Sequence, residues 1–364
     1  MIKSIKDINK FIKEVGGNFS SDEKIKLIQA LEDFPVKIND RVLRLIKNSP
    51  EIYKQFIPIP MEAESLIRSK IHKPRLFPIK GIERAYTNRL IITPVYTCES
   101  FCRYCFLREG KLGGKALSNE EIDKATEYIN KNEDLKYILI TGGDPIINFS
   151  KLERIMLNLK ENQHILSIRI GTRSILYNPN RFDQNFFNLV SEMRKSKKRI
   201  EIGAHMNHPN EIDREAMICL ENLAENHVTV YTQTVLLKDI NDNAKILRDL
   251  YEKIYSTGGE IYLLFHCDPV RGINHLRTKI SKGLEIKSEL ADLTSGRLIP
   301  QYKVAKCEIG IDSKVLEIKS DSILIKTPYS IKNLEKNIPG FKPNKPLESV
   351  SDDGKLIITY FGEW

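Results

Sequence analysis

Six short runs rich in β-branched residues alternate with helical stretches between residues 85 and 270. The runs span residues 89–93, 137–141, 167–170, 200–204, 228–233 and 261–266. Amphipathic segments at 118–131, 150–162 and 210–225 are long enough for crossover helices. Because strands that alternate with helices form parallel sheets, the pattern predicts an α/β fold built on a (β/α)6 partial barrel. Sites in such barrels lie at the carboxyl ends of the strands.

The segments on either side of this pattern predict two extensions. Residues 1–84 carry apolar positions at helical spacing and a Ser20 helix cap, which predict a helical extension before a barrel at residues 85–280. Residues 281–364 open with a helical pattern and predict a small α+β extension. Its expected strands are 314–318, 322–326 and 355–360. The stretch 326–346 is rich in Lys, Asn and Pro and predicts a surface loop.

The composition indicates a globular chain without a disulfide framework. The 364 residues are 41% hydrophobic, enough to bury a large core. No run approaches the roughly 18 apolar residues that span a bilayer, and the first residues lack a signal-peptide block, so we expect a cytoplasmic protein with no membrane partner. Six irregularly spaced cysteines fit a reducing compartment. The net charge of +9 comes from scattered lysines, so nucleic acid is not an expected partner.

Three cysteines follow the first predicted strand in a CxxxCxxC spacing, at Cys98, Cys102 and Cys105. Thiolates suit Fe–S clusters, and three of them can hold three irons of a [4Fe–4S] cube. The open fourth iron can chelate S-adenosylmethionine (SAM), whose reductive cleavage gives a 5′-deoxyadenosyl radical. Zinc ligation and inert thiols are the alternatives, although zinc sites usually take four protein ligands and no second CxxC follows. Because such a radical needs shielding, we expect the C-terminal extension to close the barrel mouth.

Polar residues also follow the other predicted strands, where they would line a concave, ligand-sized site. They are Gly142, Gly143 and Asp144 after the second strand, Arg173 after the third, His205 after the fourth and Gln233 at the end of the fifth. The glycine pair would let the backbone approach a ligand closely, and the aspartate adds an acceptor.

These motifs together resemble the lysine 2,3-aminomutase family of radical-SAM enzymes, whose members include glutamate and arginine aminomutases and an elongation-factor lysine mutase. The resemblance runs from about residue 52 to 305. It is carried by CESFCRYC at 98–105, TGGDP at 141–145, IRIGTR at 168–173, HMNHPNE at 205–211, QTVLLKDINDN at 233–243 and CD at 267–268. It implies a partial barrel, a SAM-binding cluster, and a substrate amino acid carried on pyridoxal phosphate (PLP).

The resemblance also implies a role for each matching residue. The cluster ligands would be Cys98, Cys102 and Cys105, and the SAM-binding residues Gly142, Gly143, Asp144, Arg173, His205 and Gln233. Arg89 matches an arginine near the PLP phosphate, and Asp268 matches a carboxylate that receives the side-chain ammonium in the lysine enzyme. Lys314 is the nearest candidate for the lysine that anchors PLP.

Three departures from the family pattern keep a second function open. Ala305 stands near the place of a second substrate-binding aspartate, Lys136 stands near that of the arginine that pairs with the substrate carboxylate, and the segment from Cys307 to Lys314 lacks the family's glycine run. The first hypothesis is therefore an isomerase that abstracts hydrogen from an amino-acid-type substrate and moves its amino group between the α and β carbons. The alternative is a PLP-independent radical-SAM enzyme that performs epimerisation, rearrangement or elimination on a peptide, protein or other metabolite.

Further expectations concern partners. A radical-SAM enzyme needs an external electron donor, such as a flavodoxin or ferredoxin, and the sequence leaves open whether the chain forms a homo-oligomer. A hypothesis from another class is a non-catalytic, cluster-stabilised basic module that binds RNA.

Overall fold

The computed structural model describes residues 8–64, 78–84, 86–108, 112–304, 314–318, 322–345 and 347–361. They contain an eight-stranded sheet and a four-stranded sheet. The strands of the large sheet are β1 (Ile82–Glu83), β2 (Arg89–Val95), β3 (Tyr137–Gly142), β4 (Ser167–Thr172), β5 (Arg199–Ala204), β6 (Thr229–Leu236), β7 (Glu260–His266) and β8 (Gln301–Lys303). They lie side by side in sequence order; β1 is antiparallel to β2, and β2 to β8 are parallel.

Helices α5 to α11 connect the parallel strands, so the predicted partial barrel and its six strands are confirmed. They are α5 (Asn119–Lys131), α6 (Phe149–Asn158), α7 (Ser174–Tyr177), α8 (Gln184–Lys195), α9 (Arg214–Glu225), α10 (Ala244–Ser256) and α11 (Ile280–Leu293). The sequence analysis missed β1 and β8. These strands have two and three residues, too few to display an alternating pattern.

Alternate residues of the parallel strands face the surrounding helices. Ile92, Ile140, Ile170 and Ile202 are aligned across β2 to β5 and belong to one hydrophobic core with residues of α5, α6, α8 and α9. Because successive side chains of a strand point to opposite faces, the intervening positions face the barrel interior. The residues for a site inside the barrel are therefore the odd-numbered ones in β2 to β5.

The N-terminal extension packs against the cysteine segment. It consists of α1 (Ile8–Val15), α2 (Ser21–Asp33), α3 (Asp40–Asn48) and α4 (Pro50–Phe56). The predicted Ser20 cap is present, with its side chain accepting from the Glu23 N–H at 3.3 Å. The apolar cluster of these helices includes Tyr177 and contacts Cys98 and Cys102.

The four-stranded sheet lies in the C-terminal extension, in the order β11-β12-β10-β9. Its strands are β9 (Lys314–Ile318), β10 (Ser322–Ser330), β11 (Glu348–Val350) and β12 (Lys355–Phe361). The prediction of a loop at 326–346 was wrong in part, because α12 (Ile331–Asn337) lies there, with its first turn capped by the Ser330 side chain.

The C-terminal extension contacts the large sheet in two places. Ile323 and Ile325 of β10 are buried together with Val304, which follows β8. In the second place, Asn337 of α12 donates to the Thr87 hydroxyl at 3.3 Å, just before β2. The C-terminal extension is therefore attached to the large sheet beside β8 and before β2. No helix in the described ranges has the length and apolarity needed to cross a membrane.

Candidate active site

The cysteine loop follows β2 and is fixed by backbone hydrogen bonds to the N-terminal extension. The Phe101 N–H donates to the Lys37 carbonyl at 2.8 Å, and the Arg103 N–H donates to the Gln55 carbonyl at 2.8 Å. Lys37 also donates its ammonium to the Cys98 carbonyl. The loop therefore takes its shape from chain segments that precede the barrel.

A buried ion triad holds the middle of the same loop. Arg103 and Arg108 both pair with the carboxylate of Glu62, at 3.0 Å and 3.1 Å, and the Glu62 and Arg103 side chains are fully buried. Gly272, in the loop after β7, packs on this triad so closely that a Cβ atom there would lie 2.9 Å from the Arg108 guanidinium. The triad thus joins the N-terminal extension, the cysteine loop and the loop after β7.

The three loop cysteines are free thiols that retain partial exposure. Within the described residues, no three His, Cys, Asp or Glu side chains converge as the ligands of one metal ion would. In a cube each thiolate holds a different iron, so a cluster does not require that convergence. Burial and the neighbouring Cys102 raise the pKa of the Cys105 thiol to about 12. A thiolate at Cys105 therefore needs a cation beside it. The three cysteine sulfurs are soft donors, which suit the irons of a cluster.

The glycine pair lets the end of β3 lie directly against the cysteine loop. The Gly143 N–H donates to the Val95 carbonyl at 2.9 Å, and the Asp144 N–H donates to the Thr97 carbonyl at 2.9 Å. A Cβ atom on Gly143 would overlap the Thr97 backbone, and Gly142 has a φ of +123°, which favours glycine. The glycines at 142 and 143 are thus needed in part because the end of β3 contacts the chain that follows β2.

The Asp144 carboxylate is buried and joins the ends of β3 and β4. It accepts from the Thr172 hydroxyl at 2.7 Å, from the Arg173 N–H at 2.9 Å and from the Ile146 N–H at 3.1 Å. Burial raises the pKa of Asp144, and these hydrogen bonds oppose that increase. Whether it also contacts SAM stays a prediction.

A polar network connects the cysteine loop with the ends of β4 and β5. Its members are Gln55, Tyr104, Arg173, His205, Asn207 and Glu211. The Arg173 guanidinium donates to Tyr104, to Gln55 at 2.6 Å and to Glu211 at 3.0 Å. All members are buried except His205, which retains partial exposure and so faces open space.

The network also fixes the proton of His205. The Tyr104 oxygen accepts from Arg173 and, at 2.7 Å, from Asn207, and the nearest acceptor for its own proton is His205 Nε2 at 2.8 Å, closer than Gln55 Oε1 at 3.4 Å. Nε2 is therefore the acceptor and Nδ1 carries the hydrogen, consistent with a hydrogen bond to the Gln233 backbone. Burial lowers the pKa of His205 well below its usual value, and the nearby Arg173 charge lowers it further. His205 is thus a neutral imidazole.

Gln233 extends the site to β6. A Cβ atom on Gly203 of β5 would lie 3.0 Å from the side-chain amide oxygen of Gln233. The glycine therefore leaves room for the Gln233 side chain inside the barrel. Next to it, the Val235 N–H donates to the Asn207 side chain at 2.9 Å. The ends of β3 to β6 and the cysteine loop therefore form one continuous assembly, which contains every predicted cluster and SAM residue.

The remaining predicted residues come from three other places in the fold. Arg89 begins β2, about 20 Å along the strand from its carboxyl end, and stacks on Tyr86 with 3.6 Å to the ring centroid. Because its neighbour Leu90 belongs to the helix-side core, Arg89 faces the barrel interior. Asp268 follows β7, and Lys314 begins β9, an edge strand of the small sheet. Residues 305–313, including Ala305 and Cys307, are outside the described ranges.

Sequence reasoning missed the contributions of the N-terminal extension and of Tyr177 at the end of α7. Gln55 and Glu62 lie fully buried against the cysteine loop, and the Tyr177 hydroxyl lies 2.9 Å from Cys102 Sγ. No local motif marks these residues, since each is distant in sequence from the loop it contacts. The closeness of Arg173 to the loop, by contrast, was indicated by its position at a strand end.

Comparison with known proteins agrees with this geometry. A family model described as the Radical SAM superfamily matches residues 92–250, which contain the cysteine loop and the strand ends of the site. The fold and the site thus define a radical-SAM enzyme.

Three relatives show to which family of radical-SAM enzymes the chain belongs. A protein of Aquifex aeolicus, provisionally named L-lysine 2,3-aminomutase, is 34% identical over 313 residues, 83% of this chain and 82% of its own. L-lysine 2,3-aminomutase of Methanococcus maripaludis is 33% identical over 83% of this chain and 71% of its own. Glutamate 2,3-aminomutase of Clostridioides difficile is 35% identical over 62% of this chain and 53% of its own. The chain belongs to the lysine 2,3-aminomutase family of radical-SAM isomerases, a family that implies a [4Fe–4S] cluster and SAM.

Proposed function

We propose that this enzyme is a 2,3-aminomutase that holds a [4Fe–4S] cluster on Cys98, Cys102 and Cys105. SAM bound to that cluster would supply a 5′-deoxyadenosyl radical for hydrogen abstraction from an amino-acid-type substrate, whose amino group would move between the α and β carbons before the hydrogen is returned to the product. An external flavodoxin- or ferredoxin-type donor supplies the electron.

One observation carries this proposal: the polar network that binds the cysteine loop to the strand ends. Tyr104 stands between Cys102 and Cys105 in the chain and is linked through its hydroxyl to Arg173 and His205. A cofactor attached to the cysteines would therefore meet the ends of β4 and β5 directly. Zinc or inert thiols would give no reason for this connection.

The residues around the cysteines have separate tasks in this proposal. Gly142, Gly143 and Asp144 hold the end of β3 against the loop, where the backbone would face the methionyl part of SAM. His205 and Gln233 would line the rest of the SAM pocket from β5 and β6. As a neutral imidazole whose two nitrogens bond Tyr104 and the Gln233 backbone, His205 would line the pocket without adding a charge beside the sulfonium of SAM.

The substrate side of the proposal rests on Arg89, Asp268 and Lys314. Arg89 faces the barrel interior, and none of the described carboxylates forms an ion pair with it, so its charge suits the phosphate of PLP. Asp268 would receive a cationic group of the substrate, and Lys314 would anchor PLP. The relatives are named for lysine and for glutamate, and we propose an amino acid of this size class as substrate.

Trapping PLP on the protein tests the substrate side. The anaerobically reconstituted enzyme is incubated with PLP, reduced with borohydride and digested for mass spectrometry. We expect a phosphopyridoxyl adduct at Lys314 that is lost in Lys314→Arg. The matched control is Lys326→Arg, because Lys326 pairs with Lys314 across the two strands.

Product analysis distinguishes the two hypotheses. The aminomutase predicts β-amino acid formed from lysine, glutamate or a related amino acid in a PLP-dependent manner. SAM cleavage without an adduct and without PLP dependence would contradict it and favour the PLP-independent radical-SAM enzyme.

A further inference from the structure

Two side chains place donor groups on the sulfur of a single cysteine, Cys102. The Tyr177 hydroxyl lies 2.9 Å from Cys102 Sγ, and an Arg173 N–H lies 2.8 Å from it. Among the described residues, no side chain makes such a bond to Cys98 or Cys105, and the Cys105 sulfur faces only the backbone N–H groups of its own loop. The three sulfurs are therefore electrostatically unequal.

Tyr177 is held rigidly in place for this contact. It is 1% exposed and ends α7, the short helix that follows Arg173. Its carbonyl accepts from the Asn39 side chain at 2.8 Å, and its ring packs edge-on against Phe56 at 6.1 Å between centroids. The phenol thus has little freedom to turn away from Cys102.

A ligating thiolate carries no proton, so the phenol must be the donor when a cluster is bound. Reduction adds negative charge, part of which resides on the ligand sulfurs, and a hydrogen bond to sulfur stabilises that added charge. Hydrogen bonds to the sulfurs are among the factors that set the reduction potentials of Fe–S clusters. A donor on Cys102 therefore favours the reduced state.

Building on the proposed function, we propose that Tyr177 is a positioning residue that raises the reduction potential of the cluster through its hydrogen bond to Cys102. It thereby increases the fraction of enzyme that a given electron donor can reduce. The Tyr177 ring belongs to the apolar cluster of the N-terminal helices, against which Cys102 packs.

A potentiometric titration followed by electron paramagnetic resonance (EPR) tests this proposal on the reconstituted full-length enzyme. In Tyr177→Phe the reduction equilibrium should shift about tenfold towards the oxidised state, equivalent to about 59 mV for one electron. Tyr251→Phe is the control, because Tyr251 is equally buried but lies in α10, outside the cluster around the cysteines. Its potential should equal that of the wild type.

A second variant decides the matter if Tyr177→Phe fails to fold. Replacing Tyr177 with 3-fluorotyrosine keeps the ring and strengthens the donor, so the potential should shift in the positive direction. Equal potentials in cluster-loaded wild type and variant would overturn the role of Tyr177 alone. A wild type that assembles no cluster under reconstitution would overturn this role together with the proposed function.

Discussion

The hydroxyl of Tyr104 shows how one residue fixes the chemistry of another. Two donors occupy its lone pairs, so its proton goes to His205, and His205 must keep Nε2 unprotonated. A second proton on His205 would have no acceptor there and would add a positive charge beside Arg173. The neutral state of His205 thus follows from Tyr104 and from the two donors to its hydroxyl, Arg173 and Asn207.

The first prediction concerns the protonation of His205. We expect it to remain the neutral Nδ1–H tautomer from pH 8 to pH 6, because burial and Arg173 hold its pKa well below the usual value. An unfolded histidine titrates near pH 6.5, so stability from this residue is present above that pH and is lost as the pH falls further. Nitrogen-15 NMR of histidine-labelled protein, with exposed His227 as internal reference, measures the state directly. Titration of His205 within this range would contradict the network.

The second prediction concerns the glycine at the end of β3. Gly143→Ala places a methyl group on the Thr97 backbone, which must move and displace the cysteine loop. Overpacking of this kind typically costs about 1–3 kcal/mol. We expect iron incorporation during reconstitution to fall severalfold. Gly296→Ala is the control, since its Cβ atom would meet no atom within 4 Å. Full iron content in Gly143→Ala would show that the strand ends need no close approach.

At the scale of elements, the ion triad joins three separate segments. Arg103 and Arg108 belong to the cysteine loop, Glu62 to the turn after α4, and Gly272 to the loop after β7. Two guanidiniums share one carboxylate in a buried site. Loss of the carboxylate therefore leaves uncompensated positive charge inside the protein.

The third prediction follows from this arrangement. Glu62→Ala should lower the free energy of unfolding by about 3–5 kcal/mol, the usual cost of removing one partner from a buried ion pair. Urea unfolding measures the change. Glu64→Ala is the matched control, because that carboxylate lies two residues away and pairs with Lys26 at the surface. Equal effects of the two substitutions would mean that the triad does not stabilise the loop.

The elements that the sequence predicted are those with a long local pattern. The strands β2 to β7 and helices α5, α6 and α9 show clear periodicity, and their residues lie where the pattern places them. By contrast, β1 and β8 are too short to show one. The helix α12 was hidden in a composition typical of loops. Local patterns thus identified the barrel, whereas its edges depend on tertiary contacts.

The candidate site shows the same division. The spacing of the cysteines, Gly142–Asp144 and the strand-end residues Arg173, His205 and Gln233 could be read directly, because parallel strands end at one edge. The roles of Gln55, Glu62 and Tyr177 could not, because the first two reach the cysteine loop only through folding of the N-terminal extension and Tyr177 only through the path of α7. Lys314 and Arg89 remain predictions that trapping experiments must test.

At the scale of the whole molecule, the two extensions pack against the barrel. The N-terminal helices cover the cysteine loop, and the C-terminal extension contacts the large sheet beside β8 and just before β2. Closure of the barrel mouth by this extension stays a prediction, because Thr87 precedes the amino end of β2, whereas the site lies at the carboxyl ends of the strands.

The fourth prediction concerns the C-terminal sheet. Ile323→Asp places a charge in the buried cluster beside β8, so the sheet should separate from that edge. We expect faster limited proteolysis within residues 314–361 and a lower Tm. Val350→Asp, on β11 of the same sheet, is the control because Val350 is 48% exposed. Unchanged proteolysis of Ile323→Asp would contradict the attachment of this sheet beside β8.

The central claim is that the cysteine loop performs radical-SAM chemistry, and the most direct measurement is 5′-deoxyadenosine formed from SAM by the anaerobically reconstituted, reduced enzyme. We predict formation by the wild type and by Cys219→Ala, a buried cysteine outside the loop, and loss of at least about 100-fold in Cys98→Ala, Cys102→Ala and Cys105→Ala. Equal 5′-deoxyadenosine formation in the loop variants, or none in a cluster-loaded wild type, would contradict the account.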